Sequence, residues 1–231
     1  LIHQWVNLLR SGQPVKMSKR MSTFVTIDEL IDEIKKTVEL DRTNGQGEAL
    51  REDFAVNVVR FFLLMRSSDS NVNFDLDLAK QQSKDNPVYY VMYAYTRIKS
   101  IFEKAQQASP GFAWTVRLRR PQAGEDEAHA QRAGEAWAVR NLRLPAELTL
   151  IKKLDEFPHV VRDATEHLAP HFLAVYVHEL AGLFHDFYEK HRVLDETNPD
   201  LTQARLALCR AVQIVLERAF ALLGLVAPER M

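Results

Sequence analysis

Lys16-Met17-Ser18-Lys19-Arg20 places three cations within five residues around one hydroxyl. Lys16 and Lys19 can set two ammonium groups on a single polyphosphate. Attack at an α-phosphate with loss of pyrophosphate builds up negative charge that such mobile cations stabilise. A five-residue basic stretch is a weak signal by itself, because a solvated loop has the same composition. Its setting adds weight. An apolar stretch ends at Leu9, a turn follows at Ser11-Gly12-Gln13-Pro14, and a capped helix begins soon after.

A second constellation lies on the helix opened by Asn86-Pro87, where proline at the first turn sacrifices no hydrogen bond. At about 100° per residue, Val88, Val91, Tyr95, Ile98, Phe102 and Ala105 share one face, which reads as core. Tyr90, Tyr93, Arg97 and Lys104 share another. Two phenol rings beside two cations have the composition that stacks unpaired bases and holds phosphates. The bland alternative is a core edge, with Arg97 paired to a carboxylate.

Other elements must position these groups. Thr26-Ile27-Asp28-Glu29 has the form of a capping box, and Leu30, Ile31, Ile34 and Val38 carry a helix to about Val38. After a polar loop, a second helix spans roughly Arg51 to Met65, burying Phe54, Val58, Phe61 or Phe62, and Met65. Three later helices are expected. One runs from about Ala146 to Phe157, with Leu148, Ile151 and Leu154 on one face, and stops before Pro158. Another, from Pro170 to about His191, buries Leu173, Val177, Leu180, Phe184 and Phe187. The last runs from Thr202 as N-cap to Leu223, with Gly224 ending it and Leu206, Cys209, Leu216, Ala219, Phe220 and Leu223 as core. Such amphipathic helices form an up-and-down bundle. Residues 109–144 interrupt the pattern and read as an insertion, with a small β-hairpin as its expected form; Arg117, Arg119 and Arg120 within it read as solvated surface.

Composition sets limits. The 231 residues are 46% hydrophobic and 26% charged, ordinary for a soluble globular protein. Thirty Lys and Arg against 31 Asp and Glu leave a net charge of −1, so any nucleic-acid contact must come from a local patch. Cys209 is the single cysteine, which excludes an internal disulfide and fits a reducing cytosol. No apolar run is long enough to span a bilayer, and no signal peptide opens the chain. His178-Glu179 begins like a zinc-protease motif, but Gly182 stands where its second histidine belongs, so no metal site is expected.

Val15-Lys16-Met17-Ser18-Lys19-Arg20 resembles the second signature of class I aminoacyl-tRNA synthetases. Three further blocks narrow the resemblance: the run from Arg60 to Ser67, Phe74-Asp75-Leu76-Asp77-Leu78-Ala79, and Asp85-Asn86-Pro87-Val88-Tyr89-Tyr90-Val91. With the closing stretch from Leu222 to Met231, they resemble the C-terminal part of bacterial-type arginyl-tRNA synthetases. The resemblance covers nearly the whole chain. It departs at Phe54-Ala55-Val56-Asn57-Val58, where a compact Gly- and Asp-containing turn is normal, and in the 109–144 segment. The family's upstream histidine-glycine signature and arginine pocket are absent, and the chain starts at Leu1, so a shortened piece of a longer enzyme is expected.

This resemblance implies a mainly α fold with three parts. Residues 1–23 are the end of an α/β catalytic domain with the lysine loop, 24–72 a stem-contacting helical region, and 73–231 the anticodon-binding helix bundle. It implies arginine–tRNA ligase activity for the full-length enzyme, with ATP and Mg2+, and catalytic inactivity without cofactors for the piece alone. Lys16, Met17, Ser18 and Lys19 would meet ATP, with Lys16 and Lys19 catalytic. Tyr90, Tyr93, Arg97, Tyr188 and Met231 align with anticodon-contacting positions, Arg66 with a backbone-phosphate contact and Asn86 with a helix cap. The implied partner is tRNA(Arg), met by a monomer in the cytoplasm, away from membranes. Two alternatives stay open: a cysteinyl-type bundle, and a helical scaffold whose tyrosines bind a protein.

Overall fold

A computed structural model describes residues 4–15, 25–37, 47–108 and 141–229. Among them are seven helices and three short strands, the mainly helical architecture expected from the sequence. None of these helices is long and apolar enough to cross a membrane. The chain divides into two compact units, Leu1–Tyr93 with Pro158–His178 and Glu217–Met231, and Ala94–Phe157 with Glu179–Leu216.

The first unit opens with β1 (Val6–Arg10) and β2 (Gln13–Pro14), joined at Ser11 and Gly12 with φ of 49° and 70°. Positive φ at both central residues matches the twist of an antiparallel hairpin, and here Arg10 pairs with Gln13. A third strand, β3 (Val72–Asp75), runs parallel to β1 from Val6↔Val72 to Leu9↔Asp75, giving the order β2-β1-β3. Sequence reasoning left this strand out, because four residues are too few for an alternating pattern to stand out. Leu8, Val72 and Phe74 are buried, while Asn7 and Asn73 join amides at 3.1 Å on the other face.

Helix α1 (Ile27–Thr37) is capped as the sequence specifies: the Glu29 N–H reaches the Thr26 hydroxyl, and the Thr26 N–H reaches the Glu29 carboxylate. Glu33 ties it to the sheet by accepting from Arg10 and Lys80, each at 2.6 Å. Helix α2 (Gly47–Leu64) buries Ala55, Val58 and Phe61 completely, and Phe62 packs on Phe74 with centroids 5.3 Å apart. The short α3 (Leu76–Ala79) is capped by Asp75.

Four longer helices contribute residues to both units: α4 (Pro87–Ala108), α5 (Pro145–Glu166), α6 (His171–Lys190) and α7 (Pro199–Leu223). The expected core of α6 is found, with Leu173, Val177, Leu180, Phe184 and Phe187 all buried. So is that of α7. Three expectations need correction. Helix α5 continues through Pro158, which is exposed, because part-buried Val160, Val161 and Ala164 keep packing beyond it. One lost N–H and local crowding cost about 3 kcal/mol; the flanking turns absorb them. The face of α5 is also rotated: Leu148 is 41% exposed while Glu147 and Leu150 are buried. Hydrophobicity alone could not place a glutamate inside. Finally, α7 starts at Pro199, with Asn198 Oδ1 accepting the Leu201 N–H. Thr202 is not the cap; its buried hydroxyl bonds the Asp195 backbone in both directions.

Two charged side chains in the second unit are tuned by neighbours. Burial works against the charge of Lys153, yet its hydrogen bonds to Glu179 and Glu156 prevail and raise its pKa. The Thr197 hydroxyl and N–H both donate to Asp195 and pull its carboxyl below the usual range. Of the insertion expected at 109–144, residues 109–140, where the hairpin strands were expected, lie outside the described residues.

Candidate nucleic-acid interface

Asn86 fixes the start of α4. Its Oδ1 accepts from the Val88 and Tyr89 N–H groups, and its Nδ2 donates to the Ala79 and Gln81 carbonyls at 3.0 and 2.8 Å. Asn86 is completely buried and spends its whole amide on this junction. Helical spacing then sets Tyr90, Tyr93 and Arg97 within about 60° of one another around the axis.

In the first unit, Tyr93 is 36% exposed and Tyr90 half-buried. The Tyr93 ring stacks on Tyr89, one turn earlier, with centroids 6.0 Å apart and planes 13° apart. Tyr90 lies against His178 of α6 at 5.4 Å. From sequence, Tyr89 had no site role and His178 counted only as part of a metal motif that Gly182 rules out. The i,i+4 spacing of Tyr89 and Tyr93 was a readable signal, whereas no local pattern reports the approach of His178.

In the second unit, the Arg97 guanidinium lies over the ring of Tyr188, 4.7 Å from its centroid. Phe184 supports the same ring at 6.1 Å. One face of Tyr188 is therefore taken by Arg97, so the ring acts as a platform for the cation. A guanidinium held over a ring is restricted in where it can point, and a cation so placed suits stacking on a base or donating to a phosphate.

Of the remaining sequence candidates, Arg66 is exposed just beyond α2. Lys16, Met17, Ser18, Lys19 and Met231 lie outside the described residues, so the structure assigns them no geometry.

A model of the DALR anticodon binding domain matches residues 91–231, well over half of the chain. The chain belongs to the DALR anticodon-binding domain family. Relatives extend beyond this DALR region. The arginine–tRNA ligase of Citrifermentans bemidjiense is 40% identical over 233 aligned residues, covering 100% of this chain and 34% of the relative. That of Syntrophotalea carbinolica is 42% identical, again over 100% of the chain and 34% of the relative. The chain thus spans about a third of the length of the curated relatives it matches. Among solved structures, the Thermus thermophilus arginyl-tRNA synthetase superposes with a TM-score of 0.70 at 24% identity, over 99% of this chain and 35% of that one. The Plasmodium falciparum arginyl-tRNA synthetase gives 0.65 at 24%, over 89% of this chain and 33% of its own. These likenesses establish the DALR domain's helical fold.

Proposed function

We propose that this chain is the tRNA-binding portion of an arginine–tRNA ligase, acting in the cytoplasm as a monomer on tRNA(Arg). Residues 73–231 read the unpaired anticodon bases and 24–72 contact the stem. The observation that carries the reading lies along α4, where the part-exposed Tyr93 stacks on Tyr89 in the first unit and Arg97 lies over Tyr188 in the second. Tyr90, Tyr93 and Arg97 are the groups assigned to base stacking and phosphate contact, with Tyr188 holding Arg97 and Met231 contributing from the end of the sequence. Its near-neutral net charge makes this local patch, not bulk attraction, the source of RNA affinity. Amino-acid activation with ATP and Mg2+ would belong to the longer enzyme, with Lys16, Met17, Ser18 and Lys19 in its nucleotide loop. No catalytic step is assigned to this chain alone.

The test is a fluorescence titration of the chain with an arginine-tRNA anticodon stem-loop, its anticodon variants and an unrelated hairpin. Preference for the cognate loop, lost with Tyr93→Ala and weakening steeply as salt rises, supports the reading. Equal affinity for every hairpin overturns it.

A further inference from the structure

Tyr90 lies against His178 of α6 within the first unit, their ring centroids 5.4 Å apart. A tyrosine assigned to RNA contact is therefore joined to a second helix, and the side of α6 leading away from His178 is exposed. Val175 stands three residues before His178 and Phe172 three before Val175; the two are 40% and 39% exposed. Residues at this spacing are neighbours on a helix surface. Phe172, Val175 and His178 thus form a strip about 9 Å long that ends on Tyr90.

A single exposed hydrophobic side chain needs no explanation, but Phe172 is built in. The His171 ring meets it edge-on at 4.5 Å, and the His167 ring lies 6.2 Å away. Two imidazoles flank the phenyl while part of its surface faces water. The charge of the stretch suits a polyanion. Residues 167–178 hold three histidines and no Asp or Glu, in a chain with 31 carboxylates, so nothing along the stretch itself repels a phosphate. Phenylalanine and histidine are also among the rings on which unpaired bases stack. A stable protein interface, by contrast, takes about 800 Å² from each partner, more than two exposed apolar side chains supply.

We propose that Phe172, Val175 and His178 form a second RNA contact, continuous with Tyr90: Phe172 stacks on an unpaired base, and Val175 and His178 pack on the ribose–phosphate chain beside it. The inference rests on the tRNA-binding reading and extends it from α4 onto α6.

The test uses the full chain and an arginine-tRNA anticodon stem-loop, with Cys209 as a silent background, since it is the single cysteine and is completely buried. Val175→Cys then carries the one exposed thiol. With the stem-loop at about ten times its dissociation constant, roughly a tenth of the chain stays free, so alkylation should slow about tenfold. Leu148→Cys, at an equally exposed site on α5 (41%), should keep its unliganded rate. Phe172→Ala should weaken binding at least about fivefold, the loss of one base–aromatic stack, whereas Phe172→Tyr keeps a ring and should bind nearly as well as the native chain. Unchanged alkylation of Val175→Cys at saturation, or equal slowing at both thiols, overturns the proposal. So does native affinity in Phe172→Ala, which would leave the strip to a protein partner or to packing alone. An intact chain that does not distinguish the stem-loop from an unrelated hairpin overturns both readings, whereas intact preference with Val175→Cys unprotected overturns this one alone.

Discussion

Arg205 donates from Nε to Glu147 Oε1 across 2.7 Å, with side chains 8% and 0% exposed. The second carboxylate oxygen of Glu147 accepts the Arg143 and Leu144 N–H groups at 2.9 and 3.0 Å, and Arg205 Nη1 reaches the Arg192 carbonyl. This buried pair joins the start of α5 to α7 and to the segment after α6, inside the second unit.

Removing one partner leaves a buried charge uncompensated, so Glu147→Ala should lower unfolding free energy by roughly 3–5 kcal/mol in a denaturant titration. Apolar replacement of both partners is often harmless for buried pairs. Here it should not be. Glu147→Leu with Arg205→Met still strands two backbone donors at the α5 N-terminus and should remain about 1–3 kcal/mol below the native chain. A double variant as stable as the parent would show that those donors find other partners.

Leu168 and Gly224 hold the same left-handed position after α5 and α7, with φ of 51° and 67°. Leucine pays roughly 1–2 kcal/mol there, and glycine does not. Leu168 is 62% exposed, so little burial is lost on replacement. Leu168→Gly should therefore raise stability by about 1 kcal/mol. Gly224→Ala should lower it by a similar amount. A Cβ there would lie 3.1 Å from Arg60 Nη1, the movable end of a side chain, so the backbone conformation sets most of the cost.

Burial pushes the Cys209 thiol up from its ordinary 9.0 to about 12. A group whose pKa is raised on folding contributes stability that is complete below the unfolded value and is lost as pH climbs through the folded one. The native thiol should resist alkylation at pH 8 until denaturant exposes it. Between pH 9 and about 12, stability relative to Cys209→Ala should fall, at up to about 1.4 kcal/mol per pH unit. Equal alkaline slopes for the two chains would show that the thiol titrates no differently when folded.

Most of the helical fold was legible because it rests on local signals. The Thr26–Glu29 cap, the Asn86-Pro87 start and the apolar repeat of α6 each lie within a few turns of sequence. What escaped was set by distant partners. Glu147 is inside because Arg205 meets it, β3 exists because β1 pairs with it, and Thr202 turns inward to serve Asp195. The candidate interface divides the same way. Tyr90, Tyr93 and Arg97 follow from helical spacing on α4, but the placement of Arg97 over Tyr188 depends on two helices folding together.

That placement yields the sharpest test of the interface. Arg97→Lys keeps the charge but loses the planar, delocalised cation whose centre lies over Tyr188. If the plane matters, Arg97→Lys weakens stem-loop binding while the slope of log affinity against log salt stays unchanged. Arg97→Ala should weaken it and flatten the slope by about 0.7, the contribution of one cation on single-stranded RNA. Tyr188→Phe retains a ring beneath the guanidinium and should bind nearly as well, whereas Tyr188→Leu should lose roughly 1 kcal/mol, about fivefold in affinity. If Arg97→Lys binds as tightly as the native chain, a point charge suffices, and the guanidinium's contact with the Tyr188 ring at 4.7 Å is incidental to recognition.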